Sequence, residues 1–187
     1  RTLADSTNII SEGEVLQLAL KNREVLTDKE YFEIIDRKTA ELFKSAALTA
    51  GILSSCSESQ LSSLAKFATS LGISFQIQDD ILDYFGNESL TGKRVGKDFE
   101  EGKFTLPVLI ALKNMDCNER DIFLKLFERG EKESFPKILQ MLNTSNIREE
   151  IDKIFNYYSG TCKEEIKNIP DNEYKTALEQ IVSNLDS

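Results

Sequence analysis

An all-α fold is what this chain of 187 residues predicts. Three observations point there. Capping signals recur just ahead of runs with helical apolar periodicity. No run alternates apolar and polar residues long enough to suggest a sheet. Pro and Gly are sparse outside one stretch, residues 86–103.

Each helix has its own justification. The opening RTLADSTNIISEGEVLQLAL already runs like the middle of a helix, giving a span of 3–21. TDKE (Thr27 to Glu30) and SESQ (Ser57 to Gln60) each set a capping residue three positions before Glu or Gln, so helices start there and cover 28–55 and 58–85. Pro107 behind Thr105 marks the first turn of a helix over 105–115, and DCNE (Asp116 to Glu119) starts another over 118–129. Pro136 behind Ser134 opens 135–143, followed by 146–168 and 171–185, while Gly86 and Gly130 close helices. Between the third and fourth helices lies GNESLTGKRVGKDFEEGK, residues 86–103, long for a helix connection and of the kind that is functional or disordered. No repeat, low-complexity tract or linker divides the chain, so one domain is expected.

Composition narrows the chemistry. An apolar fraction of 40% with 29% charged residues is that of a soluble globular protein. No apolar stretch approaches the roughly 20 residues of a membrane span and no signal sequence opens the chain, so a cytoplasmic protein is expected. Cys56, Cys117 and Cys162 are far apart and odd in number, which suits reduced structural thiols rather than disulfides or zinc. There is no histidine, which removes the commonest general base and every His-ligated metal site. The formal charge of -9 repels nucleic acid, and any anionic ligand must be captured locally. Residue 1 is Arg, and the chain is expected to begin inside a larger protein.

The most informative stretch is SFQIQDDILDYFG, residues 74–86, which sets Asp79, Asp80 and Asp83 on one helical face with Thr69, Gly72 and Gln76 and no basic residue among them. A solvated face is one reading. Such faces mix Lys with Glu, however, as KEEIK (Lys163 to Lys167) does, and three like charges this close raise one another's pKa unless a cation neutralises them. Short, hard oxygen ligands on a rigid helix suit Mg²⁺ shared between carboxylates and substrate phosphates. No EF-hand or Walker pattern is present.

The following loop supplies Lys93, Arg94, Lys97 and Lys103 among Gly92, Gly96 and Gly102, which let backbone approach an anion closely. Alone it reads equally as a solvated loop; after the carboxylate stripe it forms, with a metal, a clamp on polyphosphate. Lys38, in RKTAELFKSAA, shares a helical face with Tyr31, Ile34, Leu42, Ser45 and Thr49. It is either a snorkelling lysine or a desolvated ammonium aimed at a phosphate. Glu14 and Gln17, three apart on the first helix, are lesser candidates or ordinary surface residues.

These residues resemble the polyprenyl (trans-isoprenyl) diphosphate synthases, most of all the long-chain, octaprenyl-type members. The matching stretches are GEVLQL (13–18), KTAELFKSA (38–46), FQIQDDILDYFG (75–86) and GKRVGKDFEEGKFTLP (92–107), in family order and spacing. The resemblance implies an all-α isoprenoid-synthase bundle around a central cavity. It implies a prenyltransferase that condenses isopentenyl diphosphate with an allylic diphosphate, assisted by Mg²⁺, and works as a homodimer. Asp79, Asp80 and Asp83 match the second aspartate-rich motif, a metal site; Gln76 and Asp98 match the residues that support it. Lys38 and Thr39 match the catalytic Lys-Thr pair near the diphosphate, Lys93 the lysine that closes over it, and Lys103 the later lysine of the same loop. Glu14 and Gln17 match positions near the metal cluster. The family's first aspartate-rich motif and the arginines that bind isopentenyl diphosphate have no match. Residues 1–187 therefore resemble the C-terminal part of one synthase domain with upstream helices missing, and would be inactive alone.

Three other readings stay open: a non-catalytic subunit of a heteromeric prenyl synthase, a terpene cyclase on the same fold, and an acidic helical interaction module.

Overall fold

The computed structural model describes residues 2–20, 25–92, 94–144 and 146–185. Helices α1 (Thr2–Leu20), α2 (Asp28–Ile35), α3 (Glu41–Leu53) and α4 (Glu58–Phe85) come first, with a π-helical turn, Asp36–Ala40, joining α2 to α3. Two short helices follow, α5 (Glu88–Thr91) and α6 (Lys97–Glu100). The remainder is α7 (Leu106–Asn114), α8 (Cys117–Arg129), α9 (Phe135–Thr144), α10 (Ile147–Ile166) and α11 (Glu173–Leu185). There is no strand among the described residues.

The capping signals act as their spacing requires. Thr27 and Glu30 exchange bonds, the Glu30 N–H donating to Thr27 Oγ1 at 3.3 Å and the Thr27 N–H to Glu30 Oε2 at 2.9 Å. Ser57 with Gln60 and Asp116 with Glu119 repeat the reciprocal pattern. Gly130 ends α8 in the left-handed region, at φ +58°. The expected helix over 28–55 is interrupted by the π turn, and the expected loop carries α5 and α6. Asn87 starts α5 by accepting the Ser89 N–H at 2.9 Å, and Gly92 ends it at φ +66°.

The chain forms two compact units. One comprises Arg1–Ala19, Phe32–Gln76 and Phe155–Ser187; the other comprises Leu20–Tyr31 and Ile77–Ile154. The first unit has a core of Phe67, Ala68, Leu71, Cys162, Ile166 and Val182, with Phe43 and Leu178 packed against it. Cys162 is buried there, its thiol donating to the Phe67 carbonyl at 3.5 Å, a structural thiol as expected. In the second unit every residue of α7 from Leu106 to Leu112 is buried, as a helix apolar all round must be. An aromatic cluster surrounds α6: the ring of Phe99 lies 5.7 Å from Phe127 and 5.8 Å from Phe135, and Phe104 lies 4.8 Å from Phe127. Such pairs each contribute about 0.5–1.5 kcal/mol beyond their area, so a four-residue helix that would not form alone is held by tertiary packing.

The π turn of the first unit is seated between two glycines. A Cβ on Gly72 of α4 would lie 2.6 Å from the Ala40 Cα, and one on Gly13 of α1 would lie 2.9 Å from both Arg37 Cβ and the Lys38 nitrogen. Neither position admits a side chain without moving backbone. Gly72→Val is therefore expected to cost at least about 1–3 kcal/mol, read as a lower urea midpoint with unchanged slope. A midpoint equal to the parent's would show that the two helices part without cost.

Candidate functional site

On α4, Asp79 and Asp83 are half-buried and Asp80 is 2% exposed. Asp80 Oδ2 accepts the Tyr31 hydroxyl at 2.7 Å and a longer bond, 3.4 Å, from the Leu106 N–H. Leu106 is the first residue of α7, and the hydroxyl of Thr105 before it does not cap that helix. The Asp80 carboxylate thus faces a helix start, where unbonded N–H groups carry partial positive charge. Asp83 plays a comparable part for α6. Its Oδ1 accepts the Lys97 N–H at 3.2 Å, its Oδ2 the Asp98 N–H at 3.0 Å, and its carbonyl the Gly96 N–H at 2.7 Å. Gly96 turns into this position at φ +80°, with its Cα against the ring of Phe135, where a Cβ would lie 3.0 Å from the ring.

Backbone amides do not cancel the charge in full. Burial pushes the Asp83 carboxyl up to about 6, the nearby Asp98 charge adds to it, and the two amide bonds oppose it. Asp79, the neighbouring acid on α4, adds the smallest of these effects, behind burial and Asp98. Asp98 is paired with Lys103, Nζ to Oδ1 at 3.1 Å, and the same ammonium lies 2.6 Å from Glu101. Burial pulls the Lys103 pKa down, but its bonds to Glu101 and Asp98 more than offset this and leave it raised. Behind the acids, burial and then the Asp98 charge push the Tyr84 phenol far up. The buried Tyr84 hydroxyl lies beside that of Thr105, whose bond to it is a smaller influence in the opposite direction.

In the first unit, Lys38 is held by α1: its ammonium lies 2.8 Å from Glu14 Oε1 and 2.8 Å from Gln17 Oε1. Thr39 donates to Gln76 Oε1 at 2.9 Å, reaching the end of α4 that belongs to this unit. Lys38 lies inside the π turn, whose i→i+5 bonding departs from the α register assumed in setting it on the face of Tyr31. An open groove of the same unit, lined by Ser11, Glu12, Val15, Leu16, Glu33 and Arg37, does not include Lys38 or Thr39.

The sequence-predicted residues thus form local sets: Lys38 with Glu14 and Gln17, Thr39 with Gln76, Asp83 with the backbone of α6, and Asp98 with Lys103. Asp79, Asp80 and Asp83 share the helix but do not converge, and among the described residues no three acidic or thiol groups form a ready-made cation cage. Lys93 lies outside the described residues. Sequence reasoning missed Tyr31 as the partner of Asp80, a contact across 49 residues for which only the adjacent capping box gave a signal.

The raised Asp83 carboxyl gives stability a definite pH slope. Between the ordinary carboxylate value and about 6, the folded state binds the proton more tightly than the unfolded one, so stability falls as pH rises through that window. With chelator present, the melting temperature of the parent should fall more steeply from pH 4 to 6 than that of Asp83→Asn. Parallel slopes would remove Asp83 as the cause.

The comparisons with known proteins come down on one family. The profile described as polyprenyl synthetase matches residues 1–145. An octaprenyl diphosphate synthase of Haemophilus influenzae is 35% identical over 94% of this chain and 54% of its own length. A geranylgeranyl diphosphate synthase of Saccharolobus solfataricus is 32% identical over 88% of this chain and 50% of its own. The crystal structure of a polyprenyl synthase from Caulobacter crescentus, complexed with calcium and isoprenyl diphosphate, superposes with a TM-score of 0.90 at 31% identity, covering 98% of this chain and 57% of that one. The chain spans about half the length of the curated relatives it matches. Its helices, its acidic α4 and its Gly-Lys loop are those of a member of the polyprenyl synthetase family.

Proposed function

We propose that the complete protein is a prenyltransferase that condenses isopentenyl diphosphate with an allylic diphosphate to make a polyprenyl diphosphate, and that residues 1–187 are the C-terminal part of its single domain. The observation that carries this is the carboxylate row of α4 with Asp98 and Lys103 beside it, the Lys103 ammonium 3.1 Å from Asp98. It is an acid cluster with a loop lysine paired to one of its members. The family and the octaprenyl-synthase relative support the reaction class. Product lengths differ between the relatives' names, and the proposal of a long-chain product rests on the likeness to the octaprenyl enzymes.

The acids fit Mg²⁺ in donor chemistry. They are hard carboxylate oxygens on a rigid helix, and a carboxyl pushed up to about 6, by burial first and the Asp98 charge second, is one whose ionised form a cation would favour. Mg²⁺ needs one or two carboxylates, with water and substrate phosphate completing its shell, so the lack of a closed cage among the described residues is no obstacle. Asp79, Asp80 and Asp83 would hold the ion, whose charge stabilises the departing diphosphate. Lys38, Lys93 and Lys103 would bind diphosphate oxygens as ammonium groups. Lys38 is prepared for this by Glu14 and Gln17, which fix its head group. Thr39 and Gln76 would orient one another at the same substrate. Nothing in the scheme calls for histidine, since the leaving group departs as an anion and not through a protonated base. Assembly as a homodimer belongs to the same proposal.

The test is condensation of labelled isopentenyl diphosphate with an allylic primer by the complete protein, with and without Mg²⁺. Asp79→Ala should lower kcat by on the order of 100-fold or more with the helical content unchanged. Lys38→Met should raise the KM for the allylic diphosphate more than it changes the melting temperature. Parental turnover in Asp79→Ala would refute the metal assignment, and absence of condensation in the complete parent would favour a non-catalytic subunit.

A further inference from the structure

We propose that Tyr31 is a positioning residue of the acidic site, its phenol fixing the Asp80 carboxylate in the orientation the ion requires. This rests on the reading of α4 as a metal site. Tyr31 is 3% exposed and Asp80 2%, and their contact of 2.7 Å lies in the range of a charge-assisted O–H···O⁻ bond. The partners come from different helices, α2 and α4, across 49 residues of sequence. The Leu106 N–H reaches the same oxygen, Oδ2, at 3.4 Å. Both bonds draw that oxygen inward and set the plane of the carboxylate.

A phenylalanine would fill the same buried space without a polar atom to satisfy, so burial alone does not call for a hydroxyl at position 31. A buried carboxylate does call for donors, since leaving it unpaired costs several kcal/mol in the general case. The phenol is the shorter of these two bonds, 2.7 Å against 3.4 Å, so its loss loosens the orientation of the carboxylate beside Asp79. Groups that orient carboxylate ligands through hydrogen bonds typically change metal affinity by about 10–100-fold when removed.

The experiment titrates Mg²⁺ into the full chain with inorganic diphosphate present and reads the half-saturating Mg²⁺ concentration by calorimetry. Parent, Tyr31→Phe, Asp80→Asn, their double variant and Asp79→Ala are compared, with melting temperatures in chelator measured separately. Tyr31→Phe is expected to raise the half-saturating concentration about 10-fold or more. The double variant should match Asp80→Asn, because the phenol acts through that carboxylate. Replacement of Tyr31 by 3-fluorotyrosine, which keeps the hydroxyl, should retain parental Mg²⁺ dependence. If Asp80→Asn shifts the titration and Tyr31→Phe lowers only the melting temperature, the positioning role is overturned and the metal site stands. If Tyr31→Phe has an equal effect in the Asp80→Asn background, the role is overturned as well. If neither Asp79→Ala nor Asp80→Asn moves the titration, the metal reading fails and takes this inference with it.

Discussion

Like charges on one helix face, with no basic side chain on that face, are the constraint around which the second unit is organised. The solution is to meet carboxylates with dipoles. Asp80 takes a phenol and the first amide of α7; Asp83 takes two amides of α6. Peptide dipoles are fixed in place by the fold and bring no mobile counterion that would compete for an incoming one. The compensation is partial, as the Asp83 carboxyl shows, and it leaves the acids able to gain from a divalent ion. A lysine on the same face would have stabilised the empty protein better and met a bound cation with repulsion.

The same bonds couple the acids to the loop. Asp83 joins the end of α4 to Gly96, Lys97 and Asp98, and Asp98 passes the connection to Lys103. The rings of Phe99 and Phe135 hold the short helix from below. A residue that is proposed to meet the ion is therefore also what gives the following segment its shape, and changes in one are felt in the other.

Much of this was legible in the sequence. Caps at Thr27, Ser57 and Asp116 set helix starts because reciprocal bonding is a local property of four residues. The acid row was legible because helical spacing alone puts Asp79, Asp80 and Asp83 together. Three features were not. The π turn lies in DRKTA, whose residues carry no helix breaker; the cause is tertiary, a close seat against Gly13 and Gly72. Tyr31 was not read as a partner of Asp80 because the contact joins two helices 49 residues apart in sequence. The loop helices α5 and α6 escaped because four residues carry too little periodicity to be seen and form only where outside groups cap or pack them.

The π turn also bears on which kinds of genetic change the protein tolerates. A single extra residue accommodated in a helix is equivalent to an insertion that the fold has absorbed. Deleting one residue between Asp36 and Ala40 would let the segment relax to a regular helix, and one residue is worth about 100° of rotation. The ammonium at position 38 would then turn away from Glu14 and Gln17, and the threonine from Gln76, although every contributing residue type remained in the chain. Length in this five-residue stretch is thus constrained along with the identity of Lys38, Thr39 and Ala40, so a frame-preserving loss of one codon disturbs at once contacts that a single substitution reaches one at a time.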